Sequence, residues 1–558
     1  MASIAEGKGL LMKIIAALRR YFALVLFPLA VAAAGPAFAA DAPTAPIAEG
    51  RVAGAWEKGL RVSRGLPYAA PPVGERRWRP PAPPAKWEGV RQARTFGPDC
   101  VQPSYPAASV YFELPRPMSE DCLTLNVWAP ERADGAPVTV WIHGGALQFG
   151  SSASPMYDGA EFAKRGIVFV SINYRLGVLG WLAHPALSAE SADGVSGNYG
   201  LLDQIAALRW VRHNIGAFGG DPANVTVMGE SAGALSITYL LASPRAKGLF
   251  AKAIVQSPNM RAVPHLRETA FGLPSAEATG VALAASMGAV DLAALRRADP
   301  KALVAAGQRA RFIAQPVIDG AVVPGQLVDI FDRGDQAKIP VLAGFNSGEV
   351  RRQRALVPPT PADAATYEVE IARRFGDLAP AFLRLYPASD MEESLLAVTR
   401  DAVYGWATER LVREQTRAGR SAYLYLFDHC YPAARARGLC AFHASELPFV
   451  FGVAGRVFSG LSNWPMPASE EDRALARQMI GYWATFAAHG TPSADGAPAW
   501  PAYGEAENFM RFGARPAAER DMLPGMFELQ EEIMQRRRSA GEQWFINRSP
   551  LERQRLVD

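Results

Sequence analysis

Cysteine and histidine are scarce in these 558 residues, four of the first and seven of the second. No Cys-x-x-Cys occurs, and the spacings of Cys100, Cys122, Cys430 and Cys440 suit neither a zinc ribbon nor a zinc finger, so no metal site is implied. An excess of charge is also lacking. Lys and Arg number 58 against 54 Asp and Glu, a formal +4. Residues 1–39 hold Lys8, Lys13, Arg19 and Arg20 against Glu6, which is three of that excess and leaves +1 on the remainder. A chain so near neutrality carries no electrostatic footprint for nucleic acid. Internal repeats and charged low-complexity tracts are missing too, which argues against solenoid and disordered-tail architectures.

What is present begins with the N-terminus. A basic stretch to Arg20, an apolar run from Tyr21 to Ala34 and the small-x-small triplet Ala37-Phe38-Ala39 predict a signal peptide, residues 1–39, and a secreted or periplasmic protein. Met12 is an alternative start. The rival reading is an uncleaved anchor, but the apolar run is short for a span and contains Pro28, so no stable membrane span is expected after removal. Residues 40–49, Ala- and Pro-rich from Asp41 to Ile47, are expected to be a flexible linker. Residues 50–558 then form a single domain. Four thiols in an exported chain suggest two disulfides among three connectivities; closeness in sequence favours Cys100–Cys122 and Cys430–Cys440.

The chemistry centres on Asn224-Val-Thr-Val-Met-Gly-Glu-Ser-Ala-Gly-Ala-Leu-Ser236. Val225–Met228 reads as a short buried strand and Ala232–Leu241 as a helix stopped by Ser243-Pro244. Ser231 lies in the sharp turn between them, flanked by Gly229 and Gly233, whose missing Cβ atoms permit the bend. A helix N-terminus there favours developing negative charge. Upstream, the apolar strand Val138–Ile142 runs into His143-Gly-Gly-Ala146. Backbone N–H groups of Gly145 and Ala146, with that of Ala232, form the candidate oxyanion hole. Strands alternating with amphipathic stretches such as Gly200–Phe218 predict a largely parallel sheet covered on both faces. Glu349 follows the apolar strand Ile339–Gly344, at the strand end where an open α/β sheet presents functional groups. Asp332 and Asp335, in a solvated turn, are its competitors.

Gly65–Gly74, Ser119–Trp128, His143–Ala146, Asn173–Gly177, Asn198–Gln204, Phe218–Pro222 and Gly229–Gly233 stand in one order. That order is similar to the type-B carboxylesterases, the cholinesterase and para-nitrobenzyl esterase-like branch of the α/β-hydrolases, from about Gly50 to Tyr503. The resemblance implies an α/β-hydrolase fold, a mostly parallel central sheet flanked by helices with large loop and helical insertions. It also implies that His443, in Phe442-His-Ala-Ser-Glu-Leu-Pro-Phe-Val-Phe-Gly452, is the general base and Glu349 the acid, with His143, His429 and His489 as bystanders.

Ser231 is then the nucleophile of a serine carboxylic-ester hydrolase that works through an acyl-enzyme on small to medium esters and needs no cofactor. Three departures from the family stand out: Val350 where glycine is common, Ala146-Leu147 where glycine and phenylalanine are, and no tryptophan between Cys100 and Cys122. The last argues against a choline-ester specialist. Glu230 reads as a hydrogen-bonding support or a substrate contact. Arg351, Arg352 and Arg354 read as a solvated rim, with recognition of acidic esters as the alternative. A lipase and a non-catalytic binding protein on the same fold are the competing functions.

Overall fold

A computed structural model of the chain describes residues 42–289, 291–458 and 460–544. The expected signal peptide, residues 1–39, lies outside the described residues, and the chain divides between Ala42 and Pro43. The body is organised around one sheet of eleven strands. They are β1 (Ala55–Glu57), β2 (Leu60–Pro67), β3 (Thr124–Pro130), β4 (Ala136–Ile142), β5 (Val168–Ile172), β6 (Gly220–Glu230), β7 (Lys252–Gln256), β8 (Val341–Asn346), β9 (Ala422–Phe427), β10 (Asn508–Phe512) and β11 (Pro516–Arg520). Across the sheet the order is β11-β10-β9-β8-β7-β6-β4-β5-β3-β2-β1. From β5 to β10 every neighbour is parallel. Both edges are antiparallel. This is the α/β-hydrolase fold, with a mixed sheet whose centre is the expected parallel one.

Parallel neighbours need crossover connections, and the helices in those crossovers cover both faces of the sheet. The central strands are therefore largely apolar on both faces, and their alternation sorts side chains between two cores. In β9, Leu424 and Leu426 enter one core while Tyr423, Tyr425 and Phe427 enter the other. In β4 Val138, Val140 and Ile142 face the first core and Trp141 the second. Helix Tyr199–Asn214 buries Leu201, Ile205, Leu208 and Val211 on the first face, as their spacing implies. Helix Glu470–His489 covers the second with Tyr482, Trp483 and Phe486. It starts at a capping box between Ser469 and Asp472 and stops at the left-handed Gly490, φ 77°.

The linker expectation is corrected. Thr44–Ile47 forms a strand paired antiparallel with Gly50–Ala53, and Ala45 and Ile47 are buried in the first core. Pro46 is tolerated because this is an edge strand, where its missing N–H costs no ladder bond. The prolines and alanines that read as unstructured favour extended backbone, and only contact with the core gives that backbone a partner. Both disulfides, Cys100–Cys122 and Cys430–Cys440, are formed as sequence proximity suggested.

Candidate active site

Strand β6 ends at Glu230 and helix Ala232–Ala242 starts one residue later, so Ser231 alone makes the turn. Its backbone sits at φ 56°, ψ −118°, a region that L-residues avoid at a cost on the order of 1–3 kcal/mol. Tertiary contacts hold it there. Ser231 N–H donates to Gln256 O at 2.9 Å, and Leu235 N–H donates to Ser231 O at 2.8 Å. The flanking glycines are needed because the helix is pressed against the end of β4. A Cβ on Gly233 would lie 2.0 Å from Ile142 O, and one on Gly229 2.8 Å from the same oxygen.

Two further strand ends complete the group. Just past β8, Glu349 opens a short 3-10 turn, and the loop after β9 carries His443. Glu349 Oε2 lies 2.5 Å from His443 Nδ1, and His443 Nε2 lies 2.8 Å from Ser231 Oγ. An ionised carboxylate only accepts, so Nδ1 carries the proton and Nε2 is left to accept from the serine hydroxyl. The structure thus brings Ser231, His443 and Glu349 together. The other glutamate oxygen, Oε1, accepts from Asn346 N–H at 2.9 Å and from Ser257 O–H at 2.5 Å.

Behind this group Glu446 accepts from Gln256 Nε2 at 2.9 Å and Asn346 Nδ2 at 2.6 Å. Asn346 Nδ2 also donates to Phe442 O, which fixes the loop one residue before the histidine. Tyr111 donates to His443 O at 3.1 Å, and the Tyr404 ring lies 5.0 Å from the imidazole. Glu446 was legible in principle, three residues from His443. Ser257, Asn346, Tyr111 and Tyr404 carry no local signal, because each reaches the site from a different element.

The competitors fall elsewhere. His143 stacks on Tyr174 and donates through Nδ1 to Gly144 O. Burial lowers its pKa to about 4, so it stays neutral and orders the loop. His429 pairs with Asp472 at 2.7 Å, and His489 is exposed at a helix end. Asp332 pairs with Arg410 and Arg538, and Asp335 with Arg333. Arg351 and Arg354 pair with Glu393 and Glu392, which favours the rim reading of that run.

The glycine pair after β4 abuts the serine: a Cβ on Gly144 would lie 3.2 Å from Ser231 Cβ. Gly145 has φ 102°, Ala146 φ 56° and Leu147 φ 60°. Ala146 thus occupies the left-handed region, which glycine enters without strain. Among the described residues the N–H groups of Gly145, Ala146 and Ala232 have no backbone acceptor.

Burial disfavours the imidazolium of His443, but Glu230, Glu349 and Glu446 outweigh it and raise its pKa to about 9. Glu230 Oε1 is 3.1 Å from Nε2. Burial pushes Glu230 itself up to about 8, so the two share protons as a pair. Attack on an ester requires neutral His443, so kcat/KM is expected to rise with pH as the imidazolium is lost, on the alkaline side of an ordinary histidine. Glu230→Gln removes a carboxylate that favours the imidazolium and is expected to move this acid limb to lower pH. A kcat/KM–pH profile measures it, and an unmoved limb would exclude Glu230 as the cause.

Ser231, His443, Gly144, Gly145 and Ala146 line a cavity of about 210 Å³. Its wall includes Tyr105, Tyr111 and Leu114 from the Cys100–Cys122 loop. That loop is tied down: Leu114 N–H donates to Gly460 O, and Asn463 Nδ2 donates to Ser109 O at 3.1 Å.

Similarity to known proteins agrees with this geometry. Residues 41–526 match the model of the carboxylesterase family. The chain is 39% identical over 475 residues to a fumonisin B1 esterase of Sphingopyxis macrogoltabida, covering 81% of this chain and 83% of the relative. It is 37% identical over 466 residues to the para-nitrobenzyl esterase of Bacillus subtilis (strain 168), covering 82% and 91%. Among solved structures, a PNB esterase superposes with a TM-score of 0.75 at 34% identity, covering 87% of this chain and 99% of that one.

Proposed function

Because this chain belongs to the carboxylesterase family, and is a serine hydrolase of small to medium esters, we propose that Ser231, His443 and Glu349 carry its reaction. The observation that bears most weight is the continuous pair of contacts from Ser231 Oγ through the imidazole to Glu349. Ser231 Oγ attacks the ester carbonyl carbon and its proton passes to His443 Nε2. Glu349 stabilises the imidazolium through Nδ1–H. N–H groups of Gly145, Ala146 and Ala232 hold the negative oxygen of the tetrahedral intermediate. Collapse expels the alcohol, which takes the proton from Nε2. Water, activated by the same nitrogen, then releases the acid and frees Ser231.

A cavity of about 210 Å³ suits compact acyl and alcohol groups. Interfacial activation of a lipase needs a lid that swings open, whereas the Cys100–Cys122 loop is closed by its disulfide and bonded to the 460–463 segment. With p-nitrophenyl acetate, butyrate and octanoate, kcat/KM is expected to be highest for a short chain and to gain nothing from micelles. An octanoate rate that jumps at the micellar threshold would favour the lipase reading. Export belongs to the same proposal, supported by the N-terminal pattern and the two disulfides. The protein assayed should then be recovered outside the cytoplasm with Ala40 as its first residue.

A further inference from the structure

The cavity around Ser231 holds a carboxylate that acyl transfer does not use. Glu113, from the Cys100–Cys122 loop, lines it together with Glu230. One of its oxygens, Oε1, accepts from the Ser154 hydroxyl at 2.5 Å. Among the described residues no Lys, Arg or His forms an ion pair with it. Arg116 lines the same cavity but is answered by another acid: its Nε lies 3.2 Å from Asp99 Oδ1, and its guanidinium rests over the Phe96 ring. Burial pushes the Glu113 carboxyl up to about 7, against the pull of the Ser154 hydrogen bond and of Arg116. What this group lacks, among the described residues, is a cation in direct contact with it.

The walls of that cavity suit a cation. Tyr105 stacks on Phe149 at 4.2 Å, and Tyr111 meets Trp464 edge-on at 6.0 Å; all four line the cavity. Aromatic faces attract an ammonium group, and a carboxylate among them adds a charge-assisted hydrogen bond. Glu113 is also felt by two tyrosines that line the cavity of Ser231. Burial first, then Glu230 and Glu113, raise the phenol of Tyr105; burial first, then Glu113 and Glu230, raise that of Tyr157.

We propose that Glu113 selects, among small esters, those whose acyl or alcohol part carries a primary or secondary ammonium group, and binds that group as its counter-ion. The inference rests on the esterase reading and adds a substrate class to it. An ammonium with N–H bonds is favoured over a quaternary one, because the carboxylate accepts hydrogen bonds.

The test compares p-nitrophenyl 6-aminohexanoate with its neutral isostere, p-nitrophenyl heptanoate. Wild-type kcat/KM is expected to favour the amino ester by roughly tenfold or more, and Glu113→Gln to reduce that ratio about tenfold. Turnover of heptanoate with a ratio near or below one overturns this inference and leaves the esterase reading standing; turnover of neither ester overturns the esterase reading. A trimethylammonium analogue hydrolysed as well as the primary amine would overturn the hydrogen-bonded form. Should Glu113→Gln fail to fold, competitive inhibition of the wild type decides. Hexylammonium is expected to inhibit at a concentration at least about tenfold below 1-hexanol, and equal inhibition would refute the counter-ion.

Discussion

Ser231→Ala is expected to lower kcat for p-nitrophenyl butyrate by about 10⁵-fold, His443→Ala by a similar factor, and the double variant by little more than either. The reason is that the two act as one unit. Without His443 the Ser231 hydroxyl loses the acceptor that lies 2.8 Å away, and without Ser231 the imidazole has nothing to deprotonate but water. Residual turnover then comes from the oxyanion N–H groups and from binding. Folding should persist in Ser231→Ala. The strained turn is held by backbone bonds to Gln256 and Leu235, which do not involve the hydroxyl. Burst kinetics give the measurement: the wild type should release p-nitrophenol equal to the enzyme concentration before the steady state, and Ser231→Ala none. A Ser231→Ala protein that retains the burst would mean another residue forms the acyl-enzyme. Losses that multiply in the double variant would mean the serine and histidine work independently.

Glu349→Gln comes next, with an expected loss of about 10³- to 10⁴-fold in kcat and an intact fold. The two oxygens of Glu349 have different partners. Asn346 N–H and Ser257 O–H both donate to Oε1, while Oε2 faces His443 Nδ1. In the glutamine variant the amide oxygen must take the place of Oε1, since that position receives two donors. The NH₂ group is then turned toward Nδ1 and can only donate to it. The imidazole is forced into the tautomer with its proton on Nε2, where it cannot accept from Ser231. A loss below tenfold would remove Glu349 as the orienting acid and leave Glu230 or Glu446, both buried near the imidazole, to supply that role.

The sheet and the reacting side chains were legible to different degrees. Strands such as Val138–Ile142 and Ala422–Phe427 are largely apolar on both faces, which occurs in a central parallel sheet and seldom elsewhere. Ser231 was legible from its flanking glycines, because a bend that sharp excludes a Cβ and leaves a trace in residue type. Glu349 was legible from its place at a strand end. His443 was not legible from spacing; among seven histidines it was marked by resemblance, and geometry then joined it to Ser231. Thr44–Ile47 shows the opposite case: its composition reads as a linker, yet it pairs with Gly50–Ala53 because a partner strand and a core lie within reach.

By itself the sequence determined the nucleophile turn, the parallel sheet that presents it and the glycine pair beside it. Each depends on contacts between residues close in the chain or on a repeated apolar alternation, and such constraints are written locally. Tertiary structure alone decided how the acid is held, by Ser257 from the end of β7 and Asn346 from the end of β8. It alone decided that Tyr111, 332 residues from His443, bonds the base's carbonyl, and that Glu113 shares the cavity of Ser231. Parallel strands bring their C-terminal ends to one edge of the sheet whatever their distance in sequence. The partners that meet there are set by strand order, which no local pattern encodes.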